Sequence, residues 1–268
     1  MNEKTILITG STDGIGRQAA LEFAATGATV IIHGRDVHRG TNVAEEIRKA
    51  TGNIRVDLLI ADFSLLENVR RLAQDVKDRY RRLDVLVNNA GVFMNDRRMT
   101  ADGFEMTFAV NYLAPFLLTN LLLDLLKTSA PSRIVNVSSM VHTRGTLDFG
   151  NLQGERHFGG YNAYALSKLA NILFTFELSD MLEGSGVTCN CLHPGVIGTK
   201  LLRAAFNMGG ASTADGAETI LHLATGPDVE GITGKYFQDN RVTQSAPATL
   251  DRALRKELWK LSVKLAGL

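Results

Sequence analysis

The chain reads as a single Rossmann-type α/β domain, a doubly wound parallel sheet of six or seven strands with helices on both faces. Two observations predict this. Short β-branched runs alternate with helical stretches of 10 to 20 residues along the whole sequence. The first such run is followed at once by a glycine-rich turn and a helix, the opening of a βαβ unit. No Pro/Ser-rich linker, repeat or low-complexity segment divides the 268 residues, so one domain is expected.

Lys4 to Thr9 forms the first strand, Gly10-Ser11-Thr12-Asp13-Gly14-Ile15-Gly16 the turn, and Arg17 to Ala25 the first helix, closed by Gly27. A glycine turn at a helix start lets backbone N–H groups approach a pyrophosphate at the positive helix end. Its spacing is Gly-x-x-x-Gly-x-Gly and departs from the generic dinucleotide fingerprint. The second strand, Ala28 to His33, ends His33-Gly34-Arg35. An NAD site wants a carboxylate at this strand end for the ribose hydroxyl. A neutral Gly34 followed by Arg35 suits a 2′-phosphate instead, which favours NADP. Asp36 is expected to cap the next helix, Val37 to Ala50.

A third strand is expected at Ile54 to Ile60, a helix at Leu65 to Arg81 and a fourth strand at Asp84 to Val87. Asp62 lies where an adenine could rest, or caps the helix that follows, or does both. Asn88-Asn89-Ala90-Gly91 closes the fourth strand with small and amide side chains beside the cofactor edge. Helices follow over Thr100 to Thr128, then a strand at Arg133 to Val137 ending Ser138-Ser139. Tyr161 to Lys168 opens a long helix to about Leu182, with Tyr164 and Lys168 at i and i+4 on one face. An ammonium one turn away favours the phenolate and is expected to pull the Tyr164 pKa down toward the working range. A strand at Val187 to Leu192 ends His193-Pro194-Gly195, and a last one is expected near Lys235 to Phe237.

Composition narrows the partners. Lys plus Arg (29) nearly cancel Asp plus Glu (28), for a net charge of +1, so no basic stripe argues for nucleic acid. Leu113 to Leu126 is the most apolar run, but Asn120 and Asp124 interrupt it. It reads as a buried helix rather than a membrane span. The only cysteines, Cys189 and Cys191, read as core thiols of a protein in a reducing cytoplasm, and no metal site is expected.

With the glycine turn, Asn-Asn-Ala-Gly, the double serine and Tyr-x-x-x-Lys in this order, the chain resembles the short-chain dehydrogenase/reductase superfamily. Thr9 to Gly16 matches its Thr-Gly-x-x-x-Gly-x-Gly motif. The resemblance implies a catalytic tetrad of Asn111, Ser139, Tyr164 and Lys168. Ser139 would hydrogen-bond the substrate oxygen, Tyr164 would handle its proton, Lys168 would hold the nicotinamide ribose, and Asn111 would steady a relay water. It further implies cofactor contacts from Gly10 to Gly16, Arg35, Asp62, Phe63, Asn89 to Gly91, and the Pro194-Gly195-Val196-Ile197-Gly198-Thr199 stretch, with Ile197 and Thr199 near the nicotinamide and pyrophosphate.

Ser139 and Tyr164 stand 25 positions apart, where many relatives have about a dozen. The extra residues, Asp148 to Gly160, would form a substrate-side loop. This spacing is similar to the retinol dehydrogenase-like and WW-domain oxidoreductase-like branch, which prefers NADP. Its membrane-bound members carry an N-terminal anchor that this sequence lacks, so a soluble relative is expected. The substrate implied is a lipophilic aldehyde, ketone or alcohol, covered by a lid around 200–215 with Leu201, Phe206, Met208 and a Gly209-Gly210 hinge. The family also admits a homodimer or homotetramer, and a non-catalytic NADP-binding regulator as the alternative function.

Overall fold

In a computed structural model, described over residues 3–268, every strand belongs to one sheet. β1 (Thr5–Ile8), β2 (Thr29–Gly34), β3 (Val56–Ile60), β4 (Val85–Asn88), β5 (Ser132–Val137), β6 (Val187–His193), β7 (Tyr236–Gln238) and β8 (Arg241–Val242) lie in the order β3-β2-β1-β4-β5-β6-β7-β8. All pairings are parallel except β7 with β8. The strand order reverses between β1 and β4, and a doubly wound sheet binds its ligand outside the carboxyl ends at that point.

The eighth strand exceeds the expected six or seven. It is a two-residue return across a turn in which Asp239 and Asn240 both take positive φ, and so short an edge has no hydrophobic alternation to reveal it. The third strand begins at Val56 rather than Ile54, which is 83% exposed and contributes nothing to the core.

Successive strand residues face opposite helix layers, as the pleat requires. Ile6, Ile8, Val30, Ile32, Val85 and Val87 pack beneath α1 (Gly14–Ala25), α2 (Val37–Thr51) and, further along the chain, the helix Thr213–Thr225. Leu7, Ile31, Leu86 and Ile134 face α3 (Leu66–Arg79) and the later helices. Asp36 caps α2 as expected, its carboxylate accepting from the Arg39 N–H at 3.0 Å. Asp62 does not cap α3. The N-cap is Leu65, with no side-chain cap, and Asp62 accepts from the Ser64 N–H at 2.9 Å within the turn before it.

The helical stretch expected from Thr100 starts later and is not uniform. α4 (Met106–Phe108) runs into a π turn (Ala109–Leu113) and α5 (Ala114–Thr128). Met106–Thr128 is long and apolar enough to cross a membrane by length and composition alone, and 72% of its apolar window is buried within the protein. The long helix α6 (Gly160–Met181) lies beside it, buried from Tyr164 to Ser179. α7 (Lys200–Phe206), α8 (Thr213–Thr225) and α9 (Arg252–Ala266) complete the chain. Trp259 of α9 packs against Phe116 and Phe174, at 5.0 and 5.9 Å between ring centroids, so the last helix is tied to α5 and α6.

Candidate active site

The carboxyl ends of β1, β2, β4, β5 and β6 converge on one edge, and each end carries residues singled out in the sequence. The glycine loop is bolted to β4 before any ligand enters. Thr9 Oγ1 accepts from the Asn89 and Ala90 N–H groups at 3.0 Å each, and Asn89 Nδ2 donates to the Thr9 and Gly10 carbonyls at 2.9 and 3.2 Å. Gly10 has φ +65°, and a Cβ there would lie 2.7 Å from Ala90 Cα; at Gly16 it would lie 2.4 Å from Asn89 Nδ2. Those two glycines are therefore demanded by close approach of the loop to β4. Ser11 turns inward, donating to the Ile8 carbonyl at 2.7 Å and accepting from the His33 N–H at 2.9 Å. It shapes the loop and leaves the ligand edge to α1, whose first-turn N–H groups lack intrahelical acceptors.

Asp13 caps α1 and pairs with Arg39 at 2.5 Å and Lys200 at 3.1 Å. Partial burial favours the protonated acid, but the hydrogen bonds from Arg39, Lys200 and the Gly14 N–H together outweigh it and hold the carboxyl below the usual carboxylate range. At the end of β2, Arg35 is exposed and makes no ion pair among the described residues. A Cβ at Gly34 would lie 2.5 Å from Thr12 Cγ2, so this strand end has no room for a carboxylate side chain. Phe63 is buried and stacks on His33 at 4.3 Å, with Asp62 next to it.

The four tetrad positions are drawn together around the end of β5. Ser139 caps a 3-10 turn (Met140–Arg144), its Oγ accepting from the Val141 N–H at 3.4 Å. Lys168 is 3% exposed, lies 5.5 Å from the Tyr164 ring centroid and donates to the Val137 carbonyl at 2.9 Å. Asn111 sits in the π turn, an irregularity often found at functional sites. Its Oδ1 accepts from the Val92 N–H at 2.7 Å, and its Nδ2 donates to the Val92 carbonyl at 3.0 Å and Ser167 Oγ at 3.1 Å. Gly91 lies between them: a Cβ there would be 3.6 Å from Asn111 Oδ1 and 3.7 Å from Lys168 Nζ.

The titration of this pair differs from expectation. Burial raises the Tyr164 phenol above its ordinary value, and burial pushes the Lys168 ammonium down to about 8. A nearby cation was expected to lower the phenol. Removal from water outweighs it, because the phenolate loses hydration when only one ring face meets the ammonium. Tyr164 rests as a neutral phenol, a proton donor at neutral pH.

Thr199 caps α7 and lies against the glycine loop, 3.3 Å from where a Gly14 Cβ would stand. Pro194 and Gly195 follow β6, Gly195 with φ +90°, and Ile197 is buried. α7 buries no residue of its own; Phe206 meets Phe93 and Tyr161 at 5.9 and 6.0 Å, and Phe93 meets Tyr164 at 5.8 Å.

The family model of the short chain dehydrogenases matches residues 4–209. The chain belongs to this family. Within it the protein is retinol dehydrogenase-like: it is 41% identical to human retinol dehydrogenase 14 over all of this chain and 88% of that one. It is 43% identical to human retinol dehydrogenase 11 over 99% of this chain and 86% of that one. A Shigella flexneri short chain dehydrogenase, solved in complex with NADP, superposes with a TM-score of 0.73 at 31% identity, covering 88% of this chain and 97% of that one. This short-chain dehydrogenase is thus an oxidoreductase of a family that uses a nicotinamide cofactor, and the free Arg35 and the glycine loop fit such a group.

Two histidines of the dehydrogenase escaped the sequence reading. His33 accepts from the Gly10 N–H at Nδ1 (3.1 Å), which leaves Nε2–H to donate to the Ala61 carbonyl at 3.1 Å. It joins the glycine loop to the end of β3, and burial holds it neutral, with its pKa down to about 4. His142 plays a comparable part behind Ser139. Arg39 was missed too; it stands in the first turn of α2 and reaches back to the Thr12 carbonyl and Asp13, contacts between segments that no local spacing marks. A cavity of about 1210 Å³ lies elsewhere, at the amino ends of β5 and β6 with Arg133, Glu183 and Lys235 on its walls.

Proposed function

We propose that the protein is an NADP-dependent oxidoreductase interconverting a carbonyl and an alcohol on a lipophilic small molecule, with Tyr164 as the acid/base. One observation carries this reading: a buried neutral phenol stands beside a buried lysine at the carboxyl edge of the sheet, with aromatic rings on its open side. When bound, the nicotinamide supplies or accepts the hydride. Tyr164 gives its proton to the developing alkoxide, and Ser139 Oγ donates to the same oxygen and holds its charge. Lys168 holds the ribose and keeps a positive charge beside the phenolate that forms. The Gly91 gap between Asn111 and Lys168 leaves room for a water through which a proton from solvent reaches Lys168 as the lysine passes its own to the Tyr164 phenolate, so both groups end the turnover protonated.

Gly10 to Gly16, Asp62, Phe63, Asn89 to Gly91, Pro194, Gly195, Ile197 and Thr199 shape the cofactor cleft. Arg35 pairs with the 2′-phosphate, and the closed position at Gly34 disfavours the carboxylate an NAD site uses. The NADP in the Shigella relative supports this preference. Phe93, Tyr161 and Phe206 cover the apolar body of the substrate, with 200–215 as the lid of a single catalytic domain. Oxidation of NADPH and NADH is measured with a panel of lipophilic aldehydes and ketones, for wild type and Arg35→Ala. Turnover should favour NADPH, and the substitution should raise KM for NADPH about tenfold or more while leaving NADH nearly unchanged. Equal use of the two cofactors by wild type would contradict the NADP assignment.

A further inference from the structure

We propose that His142 is the positioning residue for Ser139, holding the serine backbone through a tautomer locked by the C-terminal segment. The inference rests on the reading of Ser139 as the residue that meets the substrate oxygen. His142 is 1% exposed and lies one turn after Ser139. Its Nε2 lies 3.0 Å from the Ala246 N–H, which can only donate. Nε2 is therefore the unprotonated nitrogen, and the ring proton sits on Nδ1, which donates to the Ser139 carbonyl at 2.7 Å. The same carbonyl accepts from the His142 backbone N–H at 3.2 Å. Both lone pairs of the Ser139 carbonyl are thus engaged by one residue, and the peptide plane beside the serine Cα is held from two directions.

The far side of the lock is built as firmly. Ala246 heads a turn in which Thr249 Oγ1 donates to the Ala246 carbonyl at 2.7 Å, and α9 follows directly. α9 packs through Trp259 on Phe174 of α6, the helix that carries Tyr164 and Lys168. Tyr236 of β7 closes the ring edge of His142 at 4.8 Å between centroids. His142 joins the serine at the end of β5 to a segment braced on the tyrosine helix, so the two proton-handling hydroxyls share one frame.

The test compares wild type, His142→Phe, His142→Asn and Ala246→Pro in carbonyl reduction, with kcat counted per NADPH-titrated site. His142→Phe keeps a ring against Tyr236 and removes both hydrogen bonds. His142→Asn restores a donor for the Ser139 carbonyl. Ala246→Pro breaks the lock from the other side: Ala246 already has φ −55° and ψ 141°, which proline adopts, and the ring Cδ replaces the N–H and displaces His142 Nε2. His142→Phe should lower kcat about tenfold or more. Ala246→Pro should lower it in the same direction, and His142→Asn should recover part of the loss. KM for the carbonyl and the NADPH dissociation constant should stay within about twofold throughout. Wild-type kcat in either His142→Phe or Ala246→Pro, or a loss carried by KM instead, overturns the proposal. A wild type that turns over no carbonyl contradicts the oxidoreductase reading instead and leaves Ser139 no reaction to be positioned for.

Discussion

Lys168 carries a charge where burial disfavours one. It is 3% exposed, and its one acceptor among the described residues is the Val137 carbonyl. Its folded pKa of about 8 lies below the ~10.4 of an unfolded lysine. Between those values the unfolded chain binds the extra proton, so wild-type stability rises with pH across that window; below about pH 8 the cost of the buried charge is fully present. Lys168→Met should therefore be more stable than wild type at pH 7, by about 1–2 kcal/mol after the lost bond to Val137 is counted, and should lose turnover. Urea unfolding at pH 7 and near pH 10 checks this: the variant's advantage should shrink at the higher pH. At this scale the sequence disclosed the partnership, because i and i+4 is a property of any helix. It did not disclose the direction of the Tyr164 shift, which depends on burial. Nor did it mark His33 or His142, whose ring partners Ala61 and Ala246 come from other segments, 28 and 104 residues away.

Among the helices, α7 is the one with no core of its own. Its seven residues are all at least partly exposed, and it is held at one end by Lys200 on Asp13 and at the other by Phe206 on Phe93 and Tyr161. An element held only at its ends opens at small cost, which suits a substrate lid. Phe206→Ala removes aromatic contacts of about 0.5–1.5 kcal/mol each. It should raise KM for lipophilic aldehydes about threefold to tenfold and leave the NADPH dissociation constant unchanged, as steady-state kinetics and cofactor titration will report. In the sequence this segment is marked by Leu, Phe and Met beside a glycine pair, and its service as a lid belongs to the proposed function. The strands β1, β2 and β4 and the helix α6 were legible through their apolar periodicity. The π turn at Ala109–Leu113 was not. Its widening keeps Asn111 on Val92 and Ser167, contacts that no local pattern encodes.

Across the whole molecule, strand order decides what the local chemistry can become. The reversal between β1 and β4 opens a crevice at the carboxyl ends, and the glycine loop, Arg35, Asn89, Ser139 and Pro194 reach it from five different strands. The alternation of elements made this class legible, and the order of motifs along the chain made the family legible. The neighbour relations of β7 and β8 stayed hidden, since a three-residue strand and a two-residue strand carry little pattern. The proposed function, hydride transfer between NADPH and a lipophilic carbonyl at Tyr164, draws on all three scales. The most direct measurement is mass spectrometry of the alcohol formed from a lipophilic aldehyde and NADPH carrying deuterium at both nicotinamide C4 positions, with wild type and Tyr164→Phe. One deuterium at the carbinol carbon from wild type, with product reduced about a hundredfold or more in the variant, is the predicted result. Deuterium transfer that persists undiminished in Tyr164→Phe, or wild-type product without deuterium, would contradict it.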